Sequence, residues 1–201
     1  MIIKEFQNKD TGKAIQFAVT GMHFDLYFKS KVLRNLYGRY FWYLETNRAT
    51  QIIAAYEDDT LAGVLLAEIN GETTKYYSKW RAMYVKFVEF VQRLFYKDSA
   101  GLYDEVNKEM FAKYKKTNSP DGEIIFLAAN PDVKTKGIGT MLLSELEKRE
   151  KGKQIYLYTD TACTYQFYEH RGFDCVGEKD VELDFGEKKV PMTCLLYSKI
   201  L

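Results

Sequence analysis

The order of apolar and polar positions divides the chain into recognisable pieces. Near the start, Ile15 to Val19 is a short apolar run and reads as a first strand. The segment MHFDLYFKSKVLRNLYGRYFWYLE then carries Phe24, Tyr27, Phe28, Val32, Leu33 and Leu36 at helical spacing, which predicts a helix buried along that stripe. Gln51 to Tyr56 and Leu61 to Ile69 read as two strands joined by the polar turn Glu57-Asp58-Asp59-Thr60, a hairpin. From residue 72 to 118 the chain becomes rich in Tyr, Phe and Lys. Tyr84, Phe87, Val88, Val91, Leu94 and Phe95 mark one helical face there, and Leu102, Val106, Met110 and Tyr114 mark another. A structureless loop of that length is improbable in a compact domain, so the segment is read as a helical insertion.

The last third has a clearer rhythm. EIIFLAAN is a short apolar run between breakers, as in a strand buried on both faces. Thr140 to Glu150 reads as a helix ended by Gly152, and Gln154 to Thr159 as the next strand. Ala162 to Arg171 is a predicted helix closed by Gly172 at a left-handed cap. Val176 to Leu183 and Val190 to Tyr197 form a terminal hairpin around Phe185-Gly186-Glu187-Lys188. Strand, helix, strand, helix, hairpin after a β-rich start predicts an α/β fold with a mixed sheet, one domain over residues 1–201 with the insertion at about 72–118.

Composition narrows the function. The 46% hydrophobic content of this 201-residue chain is ample for a core, and a net charge of +1 argues against a dedicated nucleic-acid binder. No apolar run approaches the roughly 18 residues of a membrane span. The opening MIIKEFQNKD turns charged too soon for a secretory leader. Cys163, Cys175 and Cys194 are odd in number, match no zinc spacing and are accompanied by two His only. The expectation is a cytoplasmic protein with reduced cysteines, no metal, no nucleic-acid or membrane partner, and homodimerisation left open.

The chemistry is concentrated in NPDVKTKGIGTML, residues 130–142. A strand that empties through glycines into a helix start presents outward-pointing amides and the positive end of the helix dipole, an anion site. Lys134 and Lys136 add positive charge. The string is not a P-loop, and Leu142 occupies the third glycine position of a dinucleotide fingerprint. Lys134-Thr135-Lys136-Gly137-Ile138-Gly139 instead fits [Q/R]-x-x-G-x-[G/A], with Lys in the first place.

That pattern resembles the acyl-CoA pyrophosphate loop of the GNAT acyltransferase superfamily. Its surroundings resemble the family too: the strand ending at Ala129-Asn130-Pro131, the helix TMLLSELEKRE, and then YLYTDTACTYQFYEHRGF, a strand and helix ending in Tyr168, Gly172 and Phe173 as Y-x-x-x-G-F. The likeness covers residues 123–200 and extends to the hairpin at 51–69; residues 72–118 have no counterpart in it. Thr161 stands where the family often has an Asn that helps hold pantetheine, and Lys134 replaces Gln or Arg.

The resemblance implies a GNAT-type fold: a mixed, mostly antiparallel sheet flanked by helices, whose two central parallel strands, 123–130 and 154–159, splay apart. Acetyl-CoA, as co-substrate, would enter the gap. The backbone of Leu127, Ala128, Ala129 and Asn130 would face the pantetheine, with Thr161 nearby. Lys134, Thr135, Lys136, Gly137, Ile138, Gly139 and Thr140 would surround the pyrophosphate. The implied reaction is direct attack of an amine on the thioester, with Tyr168 as acid toward the departing thiolate and Glu123 as candidate base. Glu68 or a water chain is the alternative base. Cys163 lies near the expected thiol end, without an evident base beside it. The expected acceptor is a small primary amine, the alternatives being a protein or peptide amine or a non-catalytic acyl-CoA-binding module. Tyr76, Tyr77, Trp80 and Tyr84 are available either to line the acceptor site or to pack the insertion on itself, and Lys75, Lys79, Lys113, Lys115 and Lys116 read as a solvated face.

Overall fold

A computed structural model describes residues 1–25, 28–95, 100–184 and 189–201. In chain order the elements are β1 (Ile2–Lys4), α1 (Thr11–Gly21), α2 (Lys31–Arg48), β2 (Gln51–Glu57), β3 (Thr60–Ile69), α3 (Lys79–Phe95), α4 (Ala100–Tyr114), β4 (Gly122–Ala129), α5 (Ile138–Arg149), β5 (Gln154–Asp160), α6 (Gln166–Glu169), β6 (Asp174–Asp184) and β7 (Lys189–Ile200). The strands make one seven-stranded sheet in the order β1-β2-β3-β4-β5-β7-β6, antiparallel except for the central β4–β5 pair.

Alternation along the central strands sends side chains to two cores. Leu65, Ile124, Ile155 and Leu157 meet Leu142, Leu143 and Leu146 of α5 on one face. Val64, Leu66 and Phe126 meet Phe17 of α1 and Trp42 of α2 on the other. The same second face continues under α4, where Val106, Met110 and Tyr114 pack on Leu183, Met192 and Leu196 of the terminal hairpin. The 72–118 segment is therefore two helices with different duties: α3 packs on α2, and α4 covers β6 and β7.

The early chain departs from expectation. Residues 15–19 lie inside α1, because Ala14, Ile15, Phe17 and Ala18 are buried at helical rather than alternating spacing. Helix α2 begins only at Lys31, and its buried residues are Gly38, Trp42 and Thr46. Of the predicted stripe Phe24, ahead of α2, is buried, but Val32, Leu33 and Leu36 on the helix are exposed; Tyr27 lies outside the described residues. An aromatic-rich helix offers more than one stripe at the same period, and packing chose the one through Trp42. The predicted helix 162–171 is reduced to α6, with turns on both sides. Gly172 does adopt the left-handed conformation, with φ +76. The 185–188 turn is outside the described residues.

Candidate active site

The splay begins with hydrogen bonding. β4 and β5 pair only at Gly122↔Ile155 and Glu123↔Tyr156. Beyond those two rungs β4 stays with β3, as far as Gly63↔Ala129, while β5 runs along β7. The N–H of Asn130 points to β3, bonding the Ala62 carbonyl at 2.7 Å. Alternation therefore turns the backbone groups of Leu127 and Ala129 toward the gap, where a guest with amide groups finds a strand edge. Asn130 itself is buried, and its side chain holds the strand exit: Nδ2 donates to the Leu61 carbonyl, and Oδ1 accepts from the N–H of Asp132.

The loop after β4 lies on the α5 side of the sheet. Gly137 is the residue before α5 and has φ +82, where a non-glycine residue is strained. Gly63 of β3 lets the start of this helix close on the sheet: a Cβ there would lie 2.5 Å from Cγ2 of Ile138. The first-turn amides of α5 thus sit beside the mouth of the splay. Lys134 and Lys136 are exposed, and the Thr135 hydroxyl donates to Glu57 on the β2–β3 hairpin. Arg171 donates to the Thr140 hydroxyl at 2.6 Å, with its guanidinium 5.7 Å over the Phe167 ring. It supplies a fixed cation at the α5 N-terminus.

Tyr168 comes from α6. Its ring packs against Phe173 and Tyr197 at 5.7 and 6.3 Å between centroids, while among the described residues its hydroxyl has no hydrogen-bond partner. Burial, and next the nearby Cys163, push the phenol above its ordinary value, so it is protonated at neutral pH. The Cys163 thiol faces the end of α1, 3.9 Å from the Gly21 carbonyl, and Gly21 in turn abuts Ala128 of β4. Burial, then Asp160, raise this thiol to about 12, which makes it a poor nucleophile. Thr161 is turned to β7: its N–H bonds the Thr193 carbonyl, and its hydroxyl accepts from the N–H of Thr193.

Glu123 is on the opposite face, within a cluster assembled from four elements. Arg48, at the end of α2, spans both Glu123 oxygens at 2.8 and 3.0 Å and also reaches Glu68 at 2.8 Å. Its Nε binds Glu45, and the Tyr156 hydroxyl donates to Glu123 at 3.1 Å. Three carboxylates thus share one guanidinium. Burial raises the Glu45 carboxyl, with Arg48 opposing. Glu68 is the most open of the three, its side chain 41% exposed. Aromatic rings continue the wall: Phe111 of α4 lies 4.4 Å from Tyr156 and 6.3 Å from Tyr158. Burial first, and Glu123 second, raise both of these phenols. Tyr37 of α2 is raised to about 12 by burial, then by Asp104 of α4 and by Glu45, so α2 and α4 both bring carboxylates to this side of the sheet.

Sequence reading singled out the loop, Tyr168, Glu123 and Glu68 as candidates. The structure sets Glu45, Arg48, Phe111, Tyr156, Tyr158 and Arg171 beside them, none of which sequence reading had named as a candidate. Only Arg171 had a local signal, as the residue before Gly172 in the Y-x-x-x-G turn. The others meet across as many as 75 positions of sequence. A depression of about 550 Å³ between the end of α4 and β7, lined by Tyr114, Gln154 and Ser198, holds none of these groups.

Residues 99–173 match the model of the family described as Acetyltransferase (GNAT) family. No curated protein matches the sequence significantly. Among solved structures, a histone acetyltransferase HPA2 and related acetyltransferase from Corynebacterium glutamicum is 15% identical, with a TM-score of 0.57 over 96% of this chain and 93% of that one. PaiA N-acetyltransferase from Thermoplasma acidophilum, solved in complex with coenzyme A, is 16% identical, with a TM-score of 0.54 over 100% of this chain and 98% of that one. Ribosomal-protein-alanine N-acetyltransferase from Brucella melitensis is 14% identical, with a TM-score of 0.55 over 100% of both chains. Likeness at such identities is likeness of fold.

Proposed function

We propose that this chain acts as a GNAT-type acetyltransferase, a reading supported by its fold and by the match over residues 99–173, and moves an acetyl group from acetyl-CoA to a primary amine of a small cationic molecule. The observation that carries the reading is the two-sided splay. A glycine-led helix start opens on one face, an acidic aromatic cluster lies on the other, and the unpaired edge of β4 runs between them.

In this reading the pyrophosphate rests on the amides of Thr135 to Thr140, with Lys134, Lys136 and Arg171 adding charge. The pantetheine lies along Leu127 to Asn130 as an extra strand. Thr161, being held by Thr193, contributes shape more than hydrogen bonds. The acceptor ammonium enters between α2 and α4. The excess of carboxylate over guanidinium favours a cation, and the faces of Phe111, Tyr156 and Tyr158 suit an ammonium. Its proton leaves to the Glu68–Glu123 pair, directly to Glu68 or by way of water, since Arg48 already occupies both oxygens of Glu123. The neutral amine attacks the thioester carbonyl, the tetrahedral intermediate collapses, and the C–S bond breaks. Tyr168 gives its proton to the departing sulfur, which leaves as CoA thiol, and regains one through solvent as the nitrogen loses its second proton on forming the amide.

The test is release of CoA thiol from acetyl-CoA with a panel of diamines, monoamines and amino acids. Turnover highest with a diamine supports the reading. Tight acetyl-CoA binding with no turnover on any amine, including peptide N-termini, would favour a binding module instead.

A further inference from the structure

Helix α3 has two apolar faces, of which only one has a partner among the described residues. Tyr84 and Val85 turn to α2: the Tyr84 ring meets Tyr43, and its hydroxyl reaches the Leu36 carbonyl. Trp80, Met83, Phe87 and Phe90 recur at spacings of three and four on the other side, and each is 56–78% exposed. Val32, Leu33 and Leu36 of α2, which borders α3, are exposed as well. With aromatic side chains of about 150–250 Å² each, this surface reaches or exceeds the roughly 300–600 Å² of the largest apolar patch on an ordinary monomer.

The charge around the patch is as uneven as its polarity. Residues 31–40 and 79–92 hold six basic side chains (Lys31, Arg34, Arg39, Lys79, Arg81, Lys86) and one acidic, Glu89, in a chain whose net charge is only +1. Lys31, Arg39, Lys79 and Lys86 are exposed. A second copy docked on this face would bring one basic field against another, which costs free energy. An anionic bilayer surface matches both features at once, since amphipathic helices with bulky apolar residues on one side and Lys or Arg on the other settle in the headgroup layer. Among the described residues no helix is long and apolar enough to cross a membrane, so any contact of α3 with a bilayer would be at its surface.

We propose that the α2–α3 face docks on anionic membranes, with Trp80, Met83, Phe87 and Phe90 set among the headgroups and Lys79 and Lys86 paired with lipid charge. The expectation that this protein has no membrane partner rested on spanning segments, which surface docking does not need.

The chain carries its own probe. It has two tryptophans, Trp42 at 1% and Trp80 at 78% exposure, so a change in emission on adding vesicles reports Trp80. The protein is titrated with vesicles of phosphatidylcholine alone and with 30% phosphatidylglycerol, following emission and co-sedimentation. The proposal predicts a blue shift and co-sedimentation with the anionic vesicles only. Replacing both lysines, Lys79→Gln with Lys86→Gln, lowers the partition coefficient roughly 30-fold, from about 1 kcal/mol per basic residue; both side chains are exposed and the fold is retained. Phe87→Ser abolishes the blue shift. Absence of binding to anionic vesicles, equal binding to neutral ones, or no effect of the lysine changes would overturn it. So would a concentration-dependent dimer, lost in Phe87→Ser, without vesicle binding, which would assign the face to a second copy.

Discussion

Tyr168→Phe separates chemistry from structure more cleanly than any other change at this site. The ring would keep its contacts with Phe173 and Tyr197, and the deleted hydroxyl has no hydrogen-bond partner among the described residues. No buried polar group is orphaned by the deletion, so unfolding free energy should stay within about 0.5 kcal/mol of the parent. The pyrophosphate loop is untouched, so acetyl-CoA affinity should hold within about twofold. What disappears is the proton offered to the departing sulfur. A positioned acid contributes on the order of 10²–10⁴ in rate, so turnover should fall at least about 100-fold. The phenol is held above its ordinary value by burial, so the parent should show no loss of rate from Tyr168 ionisation up to about pH 10. The assay is thiol release under saturating acetyl-CoA, with thermal unfolding and calorimetric titration alongside. Exposed Cys175 reacts with the thiol reagent as a stoichiometric background to be subtracted. Unchanged turnover in a folded variant that binds acetyl-CoA would refute the acid role and leave solvent to protonate the thiolate.

Gly137→Ala has open space for its methyl but a φ of +82, so it should cost about 1–2 kcal/mol, seen as lower stability or as a reset loop with acetyl-CoA affinity reduced roughly 5–30-fold. Calorimetry and thermal unfolding distinguish the two, and no change in either would show that the left-handed turn is not required. Arg48→Met leaves Glu45, Glu68 and Glu123 without their cation. Because the cluster is partly open, the expected loss at pH 7.5 is about 1–3 kcal/mol, shrinking toward pH 4 as the raised Glu45 carboxyl takes up its proton; urea titrations at the two pH values check it. Glu45 is raised by burial, so its favourable contribution is complete below the ordinary value of 4.5 and is lost as pH rises through the raised one. Glu45→Gln should therefore equal the parent near pH 4 and gain on it above neutrality, and a constant difference across that range would contradict the assignment.

The legible parts of the sequence were those whose reasons are local. The β2–β3 hairpin follows from two apolar runs around Glu57 to Thr60, and the α5 start from two glycines after a strand. The Tyr168 turn closes at a glycine with positive φ. Local patterns failed where tertiary packing chooses among them. KAIQFAV can be a strand or a helix, and α1 forms because it can lay Ile15 and Phe17 against the sheet and α2. The exposed Val32, Leu33 and Leu36 have the period of a buried stripe without its burial. The acidic cluster was only half visible. Glu123 and Glu68 stood out as candidates, but nothing near either one announces Arg48, which reaches them from the end of another helix.

The most direct test of the central claim is calorimetric titration with acetyl-CoA, with NADH and ATP as controls. The two-sided splay predicts micromolar binding of acetyl-CoA and much weaker binding of the other two, because only a pantetheine can pair with the open edge at Leu127 and Ala129 while its pyrophosphate rests on α5. Failure to bind acetyl-CoA, or equal binding of all three, would contradict it.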